Sequence, residues 1–415
     1  MDKSSKNVRE YSFHILSEVF LNEKLLNNEI EKIFNSFDTK EEDKSFIKKE
    51  CTGVIENLDN IDSIINKYSK LKTNKLKKDI LIVFRLATYE LLYMEKVPAY
   101  ATINESVNII KRKKCKSLSG YVNATLKNIA NNEKSNKNEN DCLKNTVKYC
   151  YFKTLNEKDD KVTKELKDKK INFYKYNGNL DFKYSNVYYI DKYKSILETN
   201  SFKDGFLIIQ DASSAFLIDK LYDFIIKFYS DFNREIKVLD VCSAPGGKII
   251  SLYKLVIKNY KNFYFEARDI SIDKINKIKE NFKRLKIDDI KLEVKDASKY
   301  DEKDHECYDI VLCDVPCSGL GVVNKKPDIL LKTNDDKIKS LSIIQKSILE
   351  TSKKYVKKGG ILSYSTCTIT REENQDITID FLHDNVNFEK IFEKQIEIND
   401  DSIADGFYMC FMRKV

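Results

Sequence analysis

Over the first 130 residues, apolar positions recur at helical spacing, as in Ile80, Val83, Phe84, Ala87 and Leu91. Gly and Pro are scarce there, and Pro98 marks a break between helices. The stretch 131–141, NNEKSNKNEND, holds no apolar residue and reads as a linker. Residues 142–205 mix short strand-like runs, such as Val187–Ile190, with a helix over Val162–Lys169. From about residue 206, strands and helices alternate. Strands are predicted at Val238–Val241, Phe263–Ala267, Ile290–Val294, Asp309–Leu312 and Ile361–Tyr364, with helices such as Ser271–Leu285 and Asp336–Val356 between them. That alternation predicts a mostly parallel sheet covered on both faces, with ligands at the carboxyl ends of its strands. The expected organisation is an all-helical domain (1–130), a linker (131–141), a small α+β subdomain (142–205) and an α/β domain (206–415). No internal repeat interrupts it.

Length and composition narrow the class. A chain of 415 residues, 42% hydrophobic and 33% charged, has room for two or three domains with real cores. No apolar run approaches the ~20 residues of a membrane span, and Ile80–Tyr93 carries Arg85 and Glu90. The opening MDKSSKNVRE lacks the apolar stretch of a signal peptide, so a cytoplasmic protein without membrane contact is expected. In that setting the ten cysteines are expected as thiols. His305, Cys307, Cys313 and Cys317 are close in sequence, but their spacing is irregular and two flank a predicted strand, so no metal site is expected. The net charge of +8 is modest, but from Ser106 to Asn132 there are six Lys or Arg and no acid. The core of that run is Lys111, Arg112, Lys113, Lys114 and Lys116. It reads either as a solvated helix end or as a patch facing nucleic-acid phosphates.

The first predicted strand of the α/β part runs into DVCSAPGGK, Asp240–Lys248. Gly246 and Gly247 let the backbone approach a ligand, and N–H groups point out from the helix start. The spacing fits neither a Walker loop nor GxGxxG. Alone this is an ordinary tight turn. Three acids add to it: Asp269 ends the second strand, Asp296 follows the third, and Asp314 follows the fourth. Each by itself reads as a cap or turn residue. Together they outline a site for an adenosine ligand, with Asp269 placed for ribose hydroxyls.

Two cysteines fall beside that site. Cys317 lies three residues past Asp314, and Cys367 ends the fifth strand. Adjacent parallel strands would bring both thiols to one rim. Buried inert cysteines are the alternative, since free Cys is often buried. Thiols next to a methyl donor have a specific use. C5 of cytosine is a poor nucleophile, but a thiolate adding to C6 turns the ring into an enamine-like species whose C5 attacks a methyl group. One thiol attacks and a second assists release. At a pKa of ~8.5 a thiol is about 3% ionised at pH 7, and lowering it to ~7 gains roughly 1.6 kcal/mol. Positioning supplies ~7–11 kcal/mol, so placement outweighs acidity. Ser363, Thr366 and the following helix start are candidates to assist.

In order, DVCSAPGGK, RDIS, KDAS, DVPCSGLGVVNKKPD and YSTCTITREEN resemble the motifs of the Nol1/Nop2/Sun family of RNA 5-methylcytosine methyltransferases. The match runs from QDASS at Gln210 to DGFYMCFMRK near the end, which resembles the family's last strand. Residues 1–130 resemble the antitermination factor NusB, through VPAYATINESVNIIKR and YVNATLKNI. Pro98, Pro245, Pro316 and Pro327, the only prolines, all lie inside matched motifs. Two positions depart from the pattern: Val315 stands where Ala is usual, and the family's Arg-Val-Asn strand appears only as FKTLN, residues 152–156.

The resemblance implies a Rossmann-like class I methyltransferase domain with a seven-stranded sheet, an S-adenosylmethionine donor and a small-subunit ribosomal RNA substrate; because the target base must leave any stack, a cytosine in a loop or RNA met before full assembly is expected. The resemblance also implies a monomer. By position it makes Cys367 the nucleophile and Cys317 the release residue. Cys242, Ser243, Ala244, Pro245, Gly246, Gly247, Lys248, Asp269, Asp296 and Asp314 match the donor contacts. Asp314 is further expected near the N3/N4 edge of the cytosine, and Lys248 near the reacting base. Competing readings are methylation of a protein or small molecule, an RNA-binding assembly factor with a dead catalytic domain, and a DNA substrate attacked by Cys317.

Overall fold

The computed structural model describes residues 7–37, 40–113, 115–133, 150–154, 158–190, 193–229, 234–398 and 404–415. Lys114, Asn156 and most of the polar 131–141 stretch lie outside these. The chain forms two compact units, 1–145 with 325–332, and 146–324 with 333–415.

The described helices of the first unit are α1 (Val8–Asn22), α2 (Leu26–Ser36), α3 (Glu41–Glu56), α4 (Leu58–Tyr68), α5 (Lys78–Tyr93), α6 (Ala99–Arg112) and α7 (Ser119–Glu133). The predicted apolar stripe lies on α5, the most buried of them, and its side chains fill the core with Leu16, Ile47, Ile61 and Leu126. Pro98 is the N-cap of α6, as its fixed φ and missing N–H favour at a helix start. Asp328, from the 325–332 segment of this unit, is buried and accepts from the Leu26 N–H at the start of α2 (3.1 Å).

In the second unit, β1 (Cys150–Thr154), α8 (Asp159–Asp168), β2 (Phe173–Lys175), β3 (Val187–Ile190), α9 (Tyr193–Leu197), α10 (Asn200–Lys203) and β4 (Leu207–Ile209) come first. Their antiparallel sheet has the order β2-β3-β1-β4. Then follow α11 (Ala212–Phe228), β5 (Ile236–Asp240), α12 (Gly247–Val256), β6 (Phe263–Asp269), α13 (Ile272–Leu285), β7 (Ile290–Val294), β8 (Tyr308–Asp314), α14 (Asp335–Ser352), β9 (Val356–Thr366), α15 (Gln375–Asp384), β10 (Phe388–Ile396) and β11 (Phe407–Lys414). The seven-stranded sheet has the order β10-β11-β9-β8-β5-β6-β7. It is parallel from β9 to β7, and β11 is antiparallel to both β9 and β10.

Strand periodicity explains the two-faced core. Val238, Ile310 and Leu312 point into one cluster, whereas Leu239, Val311 and Cys313 point into the other. All five predicted strands are present. The fifth differs most, because β9 begins at Val356, before the glycine pair. Gly359 has φ +80°, and the β8–β9 register shifts between Tyr308 and Ile310. Three extra residues in β9 between these two pairs produce the shift, and no apolar pattern announces it.

One buried cation stands out in the small sheet. Lys153 is 2% exposed and its Nζ has no hydrogen-bond partner. Burial pushes its pKa down to about 8, against the opposing charge of Asp219. Below pH 8 the folded state therefore carries the cost of a buried ammonium. That cost is relieved as pH rises from about 8 to ~10.4, where the unfolded chain still holds the proton. Lys153→Met should raise stability near pH 7 by about 2–3 kcal/mol, with the gain shrinking towards pH 10. Thermal melts of both proteins across that range check it, and a pH-independent difference would contradict it.

Candidate active site

β5, β6 and β8 deliver the residues expected at the donor to one end of the sheet. After Asp240 the chain crosses to β6, where Ser243 N–H donates to the Arg268 carbonyl (2.9 Å). Ala244 N–H donates to Asp269 Oδ2 (2.9 Å). Gly246 then takes φ +97° and caps α12, a left-handed conformation in which a side chain would be strained. Pro245 is exposed, while Cys242, Ala244 and Gly247 are partly so. Gln210, after β4, packs beside Gly247: its Oε1 accepts from Ser251 Oγ (2.6 Å), and its buried Nε2 is left without a partner.

The three acids are not equivalent. The Asp269 carboxylate is buried and accepts from the Ala244 and Ile270 amides, with the Lys274 ammonium at 2.9 Å. It therefore ties the glycine loop to β6. Asp296 is partly exposed, and the Ser298 hydroxyl and amide lower its pKa. Asp314 Oδ2 pairs with Lys248 Nζ, and its Oδ1 accepts from Ser365 Oγ (2.8 Å). Burial, then the Asp314 charge, pushes the neighbouring Asp240 up to about 7. Burial works against the Lys248 ammonium, but the Asp314 carboxylate outweighs it and the Lys248 pKa rises.

The two thiols meet at the ends of adjacent strands. Asp314 pairs in register with Ser365, so the loops leaving β8 and β9 start side by side. Val315 N–H donates to the Ser365 carbonyl (3.1 Å) and Gly321 N–H to the Cys367 carbonyl (3.0 Å). These bonds bring Cys317 Sγ to 3.1 Å from Cys367 Sγ, both partly exposed. Gly321 has no room for a side chain: a Cβ there would lie 2.0 Å from the Gly406 carbonyl oxygen.

The thiols differ electrostatically. Cys317 is pushed well above the ordinary thiol range by its hydrogen bond with Cys367, then by burial and the charges of Cys367, Glu373 and Asp314. Cys367 instead faces the Lys248 ammonium, with which a thiolate there would attract. The Thr366 hydroxyl is committed to Asn374 Oδ1, and Ser363 Oγ is buried without a partner. Asn374 caps a helix that begins only at Gln375.

Residues 230–411 match the family model described as 16S rRNA methyltransferase RsmB/F, and residues 6–131 match that of the NusB family. Over residues 230–411 the chain is thus similar to the 16S rRNA methyltransferases RsmB/F. It is 28% identical to the probable ribosomal RNA small subunit methyltransferase B of Bacillus subtilis, over all of both chains. With the ribosomal RNA small subunit methyltransferase B of Proteus mirabilis it shares 25% identity over 99% of this chain and 100% of that one. Among solved structures, the crystal structure of PH0851 superposes with a TM-score of 0.72 at 21% identity, over the whole of both chains, a likeness of fold.

In the NusB-family unit the basic run closes α6. Arg112 is engaged by Glu10 (2.7 Å), and Lys113 lies 4.5 Å from the centroid of the Phe13 ring. Lys111 and Lys116 are exposed. The acid-free stretch in sequence thus meets Glu10 of α1 in space. Residue-by-residue reading of the family motifs missed Gln345, Ser318, Thr368 and the role of Glu373. The Glu372-Glu373 pair was visible, but only the structure separates an exposed Glu372 from a buried Glu373.

Proposed function

We propose that this chain methylates C5 of a cytosine in small-subunit ribosomal RNA, through a bond between Cys367 Sγ and C6, with Cys317 assisting release. The observation that carries the reading is the pair of thiols 3.1 Å apart beside a glycine-rich donor loop. The unpartnered Gln210 Nε2 beside the partly exposed Gly247 backbone fits a polar ligand, so S-adenosylmethionine is taken as the donor. Residues Cys242 to Lys248 with Asp269, Asp296 and Asp314 hold it. Asp269 has room for ribose hydroxyls once the half-exposed Lys274 side chain moves aside, because an ionised carboxylate offers about four acceptor sites. When bound, this donor supplies an electrophilic methyl group.

The chain's own residues do the rest. Cys367 adds to C6 as a thiolate favoured by the Lys248 ammonium, and C5 becomes nucleophilic. Asp314, held by Lys248 and Ser365, presents an acceptor to the N4 edge of the base. After methyl transfer the C5 proton passes to solvent at this partly exposed rim, its electron pair restores the C5–C6 double bond, and the C6–S bond breaks to return Cys367 as a thiolate. Cys317, which keeps its proton, stands at the departing sulfur. The base must leave any stack to reach this rim, at a cost of a few kcal/mol, which favours an unpaired cytosine in RNA not yet buried in a finished subunit. Lys111 and Lys116, with Lys113 and Arg112 nearby, contribute phosphate contacts that weaken with salt. We read the protein as a cytoplasmic monomer.

The test is nucleoside mass spectrometry of small-subunit RNA transcript incubated with the chain and S-adenosylmethionine. 5-Methylcytosine is expected. Methylation of another atom, of DNA, or of protein alone would overturn the reading.

A further inference from the structure

The peptide carrying Cys317 is pinned on both sides by one buried pair. Gln345 Nε2, from α14, donates to the Pro316 carbonyl (2.9 Å) and to Glu373 Oε1 (2.9 Å). Ser318 N–H donates to Glu373 Oε1 (2.8 Å) and Ser318 Oγ to Oε2 (2.5 Å). Thr370 Oγ1 adds a further bond to Oε2 (2.8 Å). Glu373 and Gln345 are both 0% exposed. The other thiol is tied to the same carboxylate: Ser318 Oγ lies 2.7 Å from Thr368 Oγ1, one residue past Cys367. Tyr364, near the end of β9, donates to the Glu373 carbonyl (2.7 Å).

A buried carboxylate is a costly way to pin a loop, because its desolvation must be offset by the bonds it accepts. A neutral amide could hold the same loop by accepting from the Ser318 N–H through its oxygen and donating to the Ser318 hydroxyl through its NH2. The charge adds one thing an amide lacks, a field on Cys317. Building on the reading above, we propose that Glu373 is a positioning residue for the thiol pair. It holds Cys317 against Cys367 and keeps the Cys317 proton in place while Cys367 attacks. Gln345 shares the first task and not the second. The Glu373 charge is among those that disfavour the Cys317 thiolate.

Direct chemistry on the thiol tests this apart from RNA methylation. In a Cys367→Ser background, alkylation of Cys317 by iodoacetamide is followed against pH by peptide mass spectrometry. Glu373→Gln, nearly the same shape without the charge, should move the alkylation profile to lower pH and speed the reaction at pH 8 about ten-fold. Gln345→Met should leave the profile in place. With Cys367 restored, both variants should lower kcat at least ten-fold with little change in KM, and both should accumulate the protein–RNA adduct. An unmoved profile in a folded Glu373→Gln protein overturns the electrostatic role. Normal turnover without adduct in both variants overturns the positioning role. If the wild-type chain methylates no RNA, the reading of function fails, yet the alkylation profile still decides the field of Glu373.

Discussion

Cys317→Ala should trap small-subunit RNA on the protein as a species stable on a denaturing gel, whereas Cys367→Ala should form none. With S-adenosylmethionine present, both variants should be inactive, for opposite reasons. The first attacks C6 and cannot let go; the second never attacks. Placement of the nucleophile is worth ~7–11 kcal/mol, so losing Cys367 should cost about 10⁵-fold or more in methyl transfer. The assignment rests on the asymmetry of the pair. Cys317 sits where its partner thiol, burial and the Glu373 and Asp314 charges hold its proton, while Cys367 faces the Lys248 ammonium. The reverse pattern, adduct in Cys367→Ala and none in Cys317→Ala, would move the attack to Cys317. No adduct with either variant and no transfer by wild type would remove covalent catalysis altogether.

Much of this site was legible because strands end where their apolar runs end. Asp269, Asp314 and Cys367 lie at or just past the ends of β6, β8 and β9, as the sequence places them. The neighbouring thiols follow from β8 and β9 being adjacent and parallel. What was not legible depends on partners distant in sequence. Asp269 reads as a ligand acid, but only the fold brings Ala244 N–H to it. The basic run reads as unopposed because Glu10 lies about a hundred residues away on α1. The strand β10, FEKIFEKQI, gives a mixed pattern with only its ends buried, so its sequence does not mark it as a strand. The 4-residue β3 was found because Val187, Tyr188 and Ile190 are all buried. Buried pinning groups such as Gln345 are the least visible, since a glutamine on an amphipathic helix looks like surface.

Lys248→Met should cost both turnover and pH tolerance, and the second effect identifies the cause. Lys248 stands between two carboxylates, pairing with Asp314 and attracted by Asp240. Asp240 already sits at about 7, raised by burial and by Asp314. A carboxyl raised in the folded state weakens folding as pH climbs from the unfolded value of ~3.9 through the folded one. Removing the cation pushes Asp240 higher still, so this loss should deepen and extend above pH 7. The variant should melt nearly like wild type at pH 5 and lose roughly 2 kcal/mol by pH 8.5. That figure is below the ~3–5 kcal/mol of a fully buried broken pair because the Asp314 side chain is 28% exposed. Asp314→Asn should act in the opposite sense on Asp240, flattening the pH dependence of stability, while still lowering kcat about 10²-fold through loss of the charged acceptor proposed to face the base. If Lys248→Met melts lower by the same amount at every pH, the three groups do not share a charge, and the ammonium is only filling space.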